Sequence, residues 1–425
     1  MKISYVTMQF PAPSETFASI DIENLRKKGH NVSVHSMLHK NRNFEKLILE
    51  RNHHGLLVTH FSLLEFIKFF IFVSRHPLIA LSLLRWVLTC CIKSPKHLIK
   101  SLVLFPSAIS IFSSVLTIKP DVVHLFWGHY PTLVGYLVKK HMPNTVVSMF
   151  LGAYDLVSVY PGSSRLAVCA DVVLTHSEAN LSMMSEMGVD VGKVNVVVRG
   201  TKLDFSFEGA ANKFEELSDP LFLTAGRLIK EKGVDDVLRI FHGILKIYPS
   251  AILNIAGDGI FRPCLEKMVS DFGLQKHVFF LGHVEQVELI NVMSKTHFFL
   301  FMSRDPTERL PNVVKEAMYQ ECAVIATNTH GIDELIEHGV DGFIVDMGDW
   351  ESGLASVCRC IENRAIACSV AASAKQKIIK RFDVNVSMNT YIDIWQAAKA
   401  ERPLYQDSCY TGNSHVVKCD RSDFS

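Results

Sequence analysis

The strongest constraint on this chain is its alternation of short, Val-rich apolar runs with segments of helical spacing. In the first half the runs are KISYVTM, NVSVHSM, DVVHLFW, TVVSMF, DVVLTHS and KVNVVV; in the second they are PLFLTAGRL, AILNIAGDG, HVFFLGHV and THFFLFMS. A run without polar alternates has to be buried on both faces, which is what a parallel sheet covered by helices provides. The expected fold class is therefore α/β, with two parallel sheets and with ligands at the carboxyl ends of their strands. A length of 425 residues fits two to three domains on a prior of about 150 residues each. An apolar content of 48% is enough for two cores. The first strand leads into a helix expected to be capped by Ser14 and to end at Gly29. The linker is expected between Arg199 and Pro220, where DFSFEGAANKFEELSDP is polar and turn-like, and a short polar tail follows Pro403.

Composition narrows the function classes. The ten cysteines contain no CxxC pair, and the one CxC, Cys358 and Cys360, does not match the usual zinc spacings. Met1-Lys2-Ile3-Ser4-Tyr5-Val6 reads as a first strand and not as a secretory leader, so a cytoplasmic location is expected. The net charge of +1 hides an asymmetry: residues 1–120 hold 15 Lys/Arg against 6 Asp/Glu, and the remainder holds 29 against 37. Much of the basic excess surrounds an apolar helical region from Leu56 to Ile118. Arg75, Arg85 and Lys93 interrupt one half of it, and Pro106 and serines weaken the other, which disfavours a spanning helix. An interfacial arrangement fits better, with apolar faces at the headgroup boundary and Arg85, Lys93, Lys96 and Lys100 facing anionic lipid. The plain alternative is that these helices pack within the first domain. No nucleic-acid partner is expected.

The segment from Ser303 to Val345 carries the chemistry: SRDPTERLPNVVKEAMYQECAVIATNTHGIDELIEHGVDGFIV. It reads as strand end, loop, helix, strand, loop, helix, turn and strand. Glu308 closes the first loop, Pro311 stands where the helix starts, and Glu316 lies within the helix. The free amides of Asn312 and Val313 then contribute to a partial-positive helix end suited to a phosphate. Two glutamates at this spacing are ordinary on a solvated helix. The full pattern, with Pro between them, then Glu-Ala-Met, Val-Ile-Ala-Thr, Gly-Ile and Asp-Gly-Phe, closely resembles the donor-site signature of retaining family-4 glycosyltransferases.

That resemblance implies the GT-B fold, two Rossmann-like domains facing each other across a cleft. Residues 1–205 would be the acceptor-binding domain, with 56–118 as its apolar and basic helices. Residues 206–385 would bind the nucleotide-sugar, helix 386–402 would cross back to the first domain, and 403–425 would be tail. It also implies a UDP- or GDP-linked donor as substrate, no cofactor, no required metal, and retention of anomeric configuration. Glu316 would hold the ribose hydroxyls and Glu308 would face the donor sugar, with Arg309, Leu310, Pro311, Asn312 and Val313 lining the nucleotide site. Ala225-Gly226-Arg227-Leu228-Ile229-Lys230-Glu231-Lys232-Gly233 looks like the family's phosphate loop. There Gly226 would allow close backbone approach, and Arg227 and Lys232 would neutralise the diphosphate as the sugar leaves. Gly257, in Gly257-Asp258-Gly259, would shape the nucleotide pocket.

The first half departs from the commoner family pattern. Its first loop, Gln9-Phe10-Pro11-Ala12-Pro13-Ser14-Glu15-Thr16-Phe17, has no glycine and resembles the PSETF loop of a bacterial exopolysaccharide and colanic-acid subgroup. Phe150-Leu151-Gly152-Ala153-Tyr154-Asp155 keeps the family's Gly and Asp155 but has Leu151 where a histidine is frequent. His129, at another strand end, is the candidate substitute. Arg199 could reach the donor phosphates from the opposite domain. Arg309 stands where glycine is common and could tune donor choice, and Glu321 and Ala323 replace a frequent glycine and proline. The expectation is a glycosyltransferase peripheral to the inner face of the cytoplasmic membrane, with a lipid-linked oligosaccharide acceptor of surface-polysaccharide synthesis. Three rivals remain: a non-catalytic binding or scaffold subunit, a nucleotide-sugar epimerase on the same fold, and a dinucleotide-dependent oxidoreductase. The last lacks a GxGxxG after any strand.

Overall fold

The structure is a computed structural model describing residues 1–12, 16–203, 213–214 and 219–402. The expected Ser14 cap, most of the linker and the tail from Pro403 lie outside the described residues. The first sheet contains β1 (Lys2–Thr7), β2 (Asn31–Ser36), β3 (Leu57–His60), β4 (Val122–Leu125), β5 (Val146–Phe150), β6 (Val172–Thr175) and β7 (Val194–Val196). All are parallel, in the order β3-β2-β1-β4-β5-β6-β7. The second contains β8 (Leu221–Ala225), β9 (Ile252–Ala256), β10 (Val278–Gly282), β11 (Phe298–Phe301), β12 (Ala323–Thr327) and β13 (Phe343–Val345). It too is parallel, in the order β10-β9-β8-β11-β12-β13. Strand order reverses between β1 and β4 and again between β8 and β11. Crevices open at such points beyond the strand ends, and the site lies there.

Nine helices among the described residues serve the first domain: α1 (Thr16–Lys27), α2 (Phe44–Glu50), α3 (Leu63–Arg75), α4 (Pro77–Cys91), α5 (Pro95–Ile118), α6 (Thr132–His141), α7 (Ala153–Ser158), α8 (Pro161–Cys169) and α9 (Leu181–Glu186). The second domain has α10 (Val234–Ile247), α11 (Arg262–Asp271), α12 (Gln286–Lys295), α13 (Asn312–Tyr319), α14 (Trp350–Glu362) and α15 (Arg364–Arg381). The last helix, α16 (Val384–Ala400), returns to the first domain. There Met388, Tyr391 and Trp395 are buried with Ile3, Tyr5 and Val122, and the Trp395 indole N–H donates to Ser148 Oγ at 2.9 Å. The two crossings meet in backbone bonds: Thr201 N–H to Phe382 O at 2.8 Å and Val384 N–H to Thr201 O at 3.2 Å. Each sheet has an apolar layer on both faces, which is why its central strands have no polar alternation.

Helices α3 to α5 form an insert between β3 and β4. Ser62 caps α3, and α3 meets α4 at a bend of 106°. Helix α5 is long and apolar enough to cross a bilayer, yet half of that window is buried in the domain. It buries Leu104, Ala108, Ile109, Phe112 and Val115 but leaves Ile99, Leu102 and Val103 exposed. The second helix read in GIDELIEH is instead a single 3-10 turn, Ile332–Glu334. Gly331 enters it at φ 84°, and the Glu334 carboxylate is drawn away to the other domain.

Candidate active site

Two glycine-bearing strand ends build the floor of the second domain's crevice. Gly257 has φ 132°, and a Cβ there would lie 1.8 Å from Gly226 O. Only glycine lets the turns after β8 and β9 pack backbone to backbone. A Cβ at Gly226 would meet nothing within 4 Å, so open space lies over it. Arg227, the next residue, is exposed. Gly233, at φ 64°, would set a Cβ 1.8 Å from Met302 O, so the turn holding Lys232 is pressed against the end of β11.

That contact brings Lys232 to the loop after β11. Its Nζ pairs with the Glu308 carboxylate and lies 3.3 Å from Asp305 Oδ2. Ser303 Oγ donates to Glu308 Oε2 at 3.1 Å, and the Glu308 N–H donates to Asp305 O at 3.0 Å. Burial would raise the Asp305 carboxyl, but its Thr307 bonds and Lys232 hold it below the ordinary range. Glu308 is thus held from three sides. Pro311 takes the N-cap position of α13 with extended backbone, one residue before the first turn, and no side chain caps the helix. Glu316 is 9% exposed and accepts from Gln286 Nε2 at 2.9 Å. Burial pushes its carboxyl up to about 7, with the Gln286 bond pulling the other way. Its neighbour Lys315 is fully buried and donates to Arg199 O across the domain boundary at 2.8 Å. Burial, with the Arg199 charge nearby, pushes that ammonium down to about 7.

Arg309 has a place other than the donor side. It is 4% exposed; its Nε donates to Asn180 Oδ1 at 3.0 Å and its Nη1 to Pro306 O at 2.7 Å. A long side chain replacing glycine turns inward and ties the Glu308 loop to the first domain. Glu334 makes a second tie, accepting from Ser177 Oγ at 2.5 Å, Ala179 N–H at 3.0 Å and Glu178 N–H at 3.1 Å.

In the first domain, His129 Nδ1 lies 2.6 Å from Asp155 Oδ1, and Asp155 Oδ2 accepts from Gly152 N–H at 3.0 Å. Asp155 is buried and His129 partly so. With Nδ1–H donated to the carboxylate, Nε2 is the ring atom left for a ligand. The His beyond β4 and the Asp beyond β5 thereby form one unit. Arg199, expected at the donor phosphates, is instead packed inside its own domain. It is 4% exposed and lies 4.4 Å and 4.0 Å over the rings of Phe126 and Phe150, with Asp21 Oδ2 at 3.6 Å. Stacking and a buried carboxylate hold the guanidinium inside its own domain.

Gln286, Ser303, Asp305 and Glu334 were not singled out from the sequence. Only Asp305 left a local signal there, since Asp-Pro-Thr is turn-forming.

Comparison with known proteins agrees with the fold. Residues 208–378 match the family described as glycosyl transferases group 1. The amylovoran biosynthesis glycosyltransferase AmsK of Erwinia amylovora is 24% identical over 412 residues, covering 93% of this chain and 99% of that protein. The lipopolysaccharide core biosynthesis glycosyltransferase LpsE of Rhizobium meliloti is 21% identical, over 62% of this chain and 79% of that one. The Anabaena protein HepE, solved in complex with UDP, superposes with a TM-score of 0.71 at 17% identity, covering 93% of this chain and all of its own. Residues 208–378 thus match the group 1 glycosyltransferase family, the whole chain is similar to bacterial polysaccharide glycosyltransferases, and its two domains have the GT-B architecture.

Proposed function

We propose that the protein transfers a hexose, with retention of anomeric configuration, from a nucleoside diphosphate donor to a lipid-linked intermediate of surface-polysaccharide synthesis at the inner face of the cytoplasmic membrane. The observation that carries this reading is the pairing of two prepared half-sites at the strand ends. The Glu308–Lys232–Ser303 cluster stands beside an uncapped helix end in one domain, and the His129–Asp155 pair belongs to the other. Phosphate charge grows on the leaving diphosphate, so Lys232, Arg227 and the α13 amides stabilise the transition state more than the bound donor. Glu308 faces the positive charge that develops at the anomeric carbon. Glu316 takes the ribose hydroxyls. His129, oriented by Asp155, hydrogen-bonds a sugar hydroxyl through Nε2. Closure of the cleft excludes water and suppresses donor hydrolysis.

The amylovoran and lipopolysaccharide core roles of AmsK and LpsE support the polysaccharide setting, and HepE solved with UDP and with UDP-glucose supports a uridine donor. The exposed apolar and basic insert supports the membrane side. A non-catalytic subunit would have no use for a buried Asp oriented on a cleft histidine. Donor turnover across a panel of UDP- and GDP-sugars, with and without lipid extract carrying polyprenyl-linked glycans, tests the reading. Release from one donor, raised by the extract, is the expected result. No nucleotide binding by any donor would overturn it.

A further inference from the structure

We propose that the start of α5 binds the phosphate groups of a lipid-linked acceptor through Lys96, His97 and Lys100, with the exposed apolar side of the same helix as the bed for its lipid chain. This rests on the transferase reading and adds the place where the acceptor is held.

A juxtaposition carries it. His97 Nδ1 lies 3.0 Å from the Tyr130 hydroxyl, and Tyr130 directly follows His129. Lys100 Nζ stands 5.8 Å from the centre of the Tyr130 ring. A second thread fixes the same turns: Ser101 Oγ is 2.9 Å from the Tyr160 hydroxyl, and the Tyr160 ring packs 4.8 Å from that of Tyr130. The cations of α5 are therefore held next to the loop that presents the His129–Asp155 pair.

Charge and surface chemistry agree. From Phe66 to Pro120 the chain has seven Lys/Arg and no Asp/Glu. Lys93, Lys96 and Lys100 are exposed and have no carboxylate partner among the described residues. The one acid of the insert, Glu65, is engaged by Lys68 at 2.6 Å and by Ser110. Helix α5 opens with Pro95, and Ser94 gives it no side-chain cap, so its first-turn amides add partial positive charge to the same spot. Along that helix Ile99, Leu102 and Val103 are 63%, 42% and 70% exposed. An apolar strip that begins at exposed cations, beside the Tyr130 that follows His129, fits an amphiphile with a phosphate head. The chain lies on the strip, the phosphates meet the cations, and the sugar extends toward His129. A purely acidic partner would leave the strip uncovered.

The test is vesicle flotation of the full chain, comparing Lys96→Ala/Lys100→Ala with Arg75→Ala/Arg85→Ala, an equal charge change on α3 and α4. On phosphatidylcholine vesicles carrying polyprenyl diphosphate, the first variant is expected to bind roughly tenfold more weakly or worse, and the second little changed. On phosphatidylglycerol vesicles without that lipid, both should weaken alike, because headgroup attraction counts charge more than position. Equal weakening of the two variants on the polyprenyl diphosphate vesicles would overturn the site in favour of a general basic surface. Absence of wild-type flotation on those vesicles would also overturn it. UDP-sugar hydrolysis run alongside reads the other proposal: its absence in all three proteins counts against the transferase and not against this site.

Discussion

Glu308 shares its carboxylate between a cation and a hydroxyl, so its charge is committed before any donor arrives. Glu308→Gln keeps the shape and removes the charge; turnover should fall about 10²–10³-fold, while nucleotide affinity by calorimetry stays near wild type. His129→Ala should cost about 10²-fold in turnover. Asp155→Asn should move turnover the same way, since a single amide oxygen cannot accept from both His129 Nδ1 and the Gly152 N–H. Glu316 predicts a pH dependence. Its folded value of about 7 lies above the ordinary 4.5. The stability gained by keeping it neutral is therefore present below about 4.5 and lost as pH rises through about 7. Ribose hydroxyls donate to the carboxylate form, so nucleotide affinity should rise over the same interval and then level off. Lys315 titrates nearby. A 2′,3′-dideoxynucleotide isolates the Glu316 share: it should lack the rising limb, and an identical limb would count against the ribose contact.

At the scale of elements, the strand ends do the positioning. Gly257→Ala would drive a Cβ into Gly226 O at 1.8 Å and strain a backbone at φ 132°. A loss of about 2–3 kcal/mol in denaturant unfolding is expected, with nucleotide binding lost alongside; an unchanged midpoint would show that the two turns are free to part. Most strands were legible because burial on both faces leaves nothing but apolar residues to read. Helix α13 was legible because Pro311 marks its start, whereas the meaning of the two glutamates came only from the resemblance to a family. The GIDELIEH segment misled as a helix because its hydrophobic spacing is helical, whereas in the structure Gly331 enters a single 3-10 turn and the Glu334 carboxylate accepts from Ser177, Glu178 and Ala179 of the first domain. Arg309 and Arg199 misled for a related reason: a cation near a phosphate motif reads as a ligand contact. Only packing shows that Asn180 and an aromatic box had already claimed them.

For the whole molecule, three buried or half-buried links span the two domains among the described residues, besides the exposed Lys46–Glu285 pair at 3.2 Å: Arg309 to Asn180, Glu334 to Ser177 and Ala179, and Lys315 to the Arg199 carbonyl. All three are charge-assisted, and each begins in the donor half. Glu334→Ala removes a carboxylate with three donors and should cost about 2 kcal/mol of closure, lowering transfer roughly thirtyfold while raising the share of donor lost to hydrolysis. Product analysis checks this; an unchanged ratio of transfer to hydrolysis would show that closure does not depend on Glu334. Local chemistry alone determined the α/β class and the two parallel sheets, since contiguous apolar runs without polar alternation have one physical reading; the phosphate loop and the paired glutamates were readable only through the resemblance to a family. Tertiary structure alone decided that His129 and Asp155 form a unit, that Gln286 holds Glu316, and that Arg199 and Arg309 are buried anchors. Those outcomes depend on which strand ends and helices a parallel sheet sets side by side, and residues so far apart in the chain carry no mark of that adjacency.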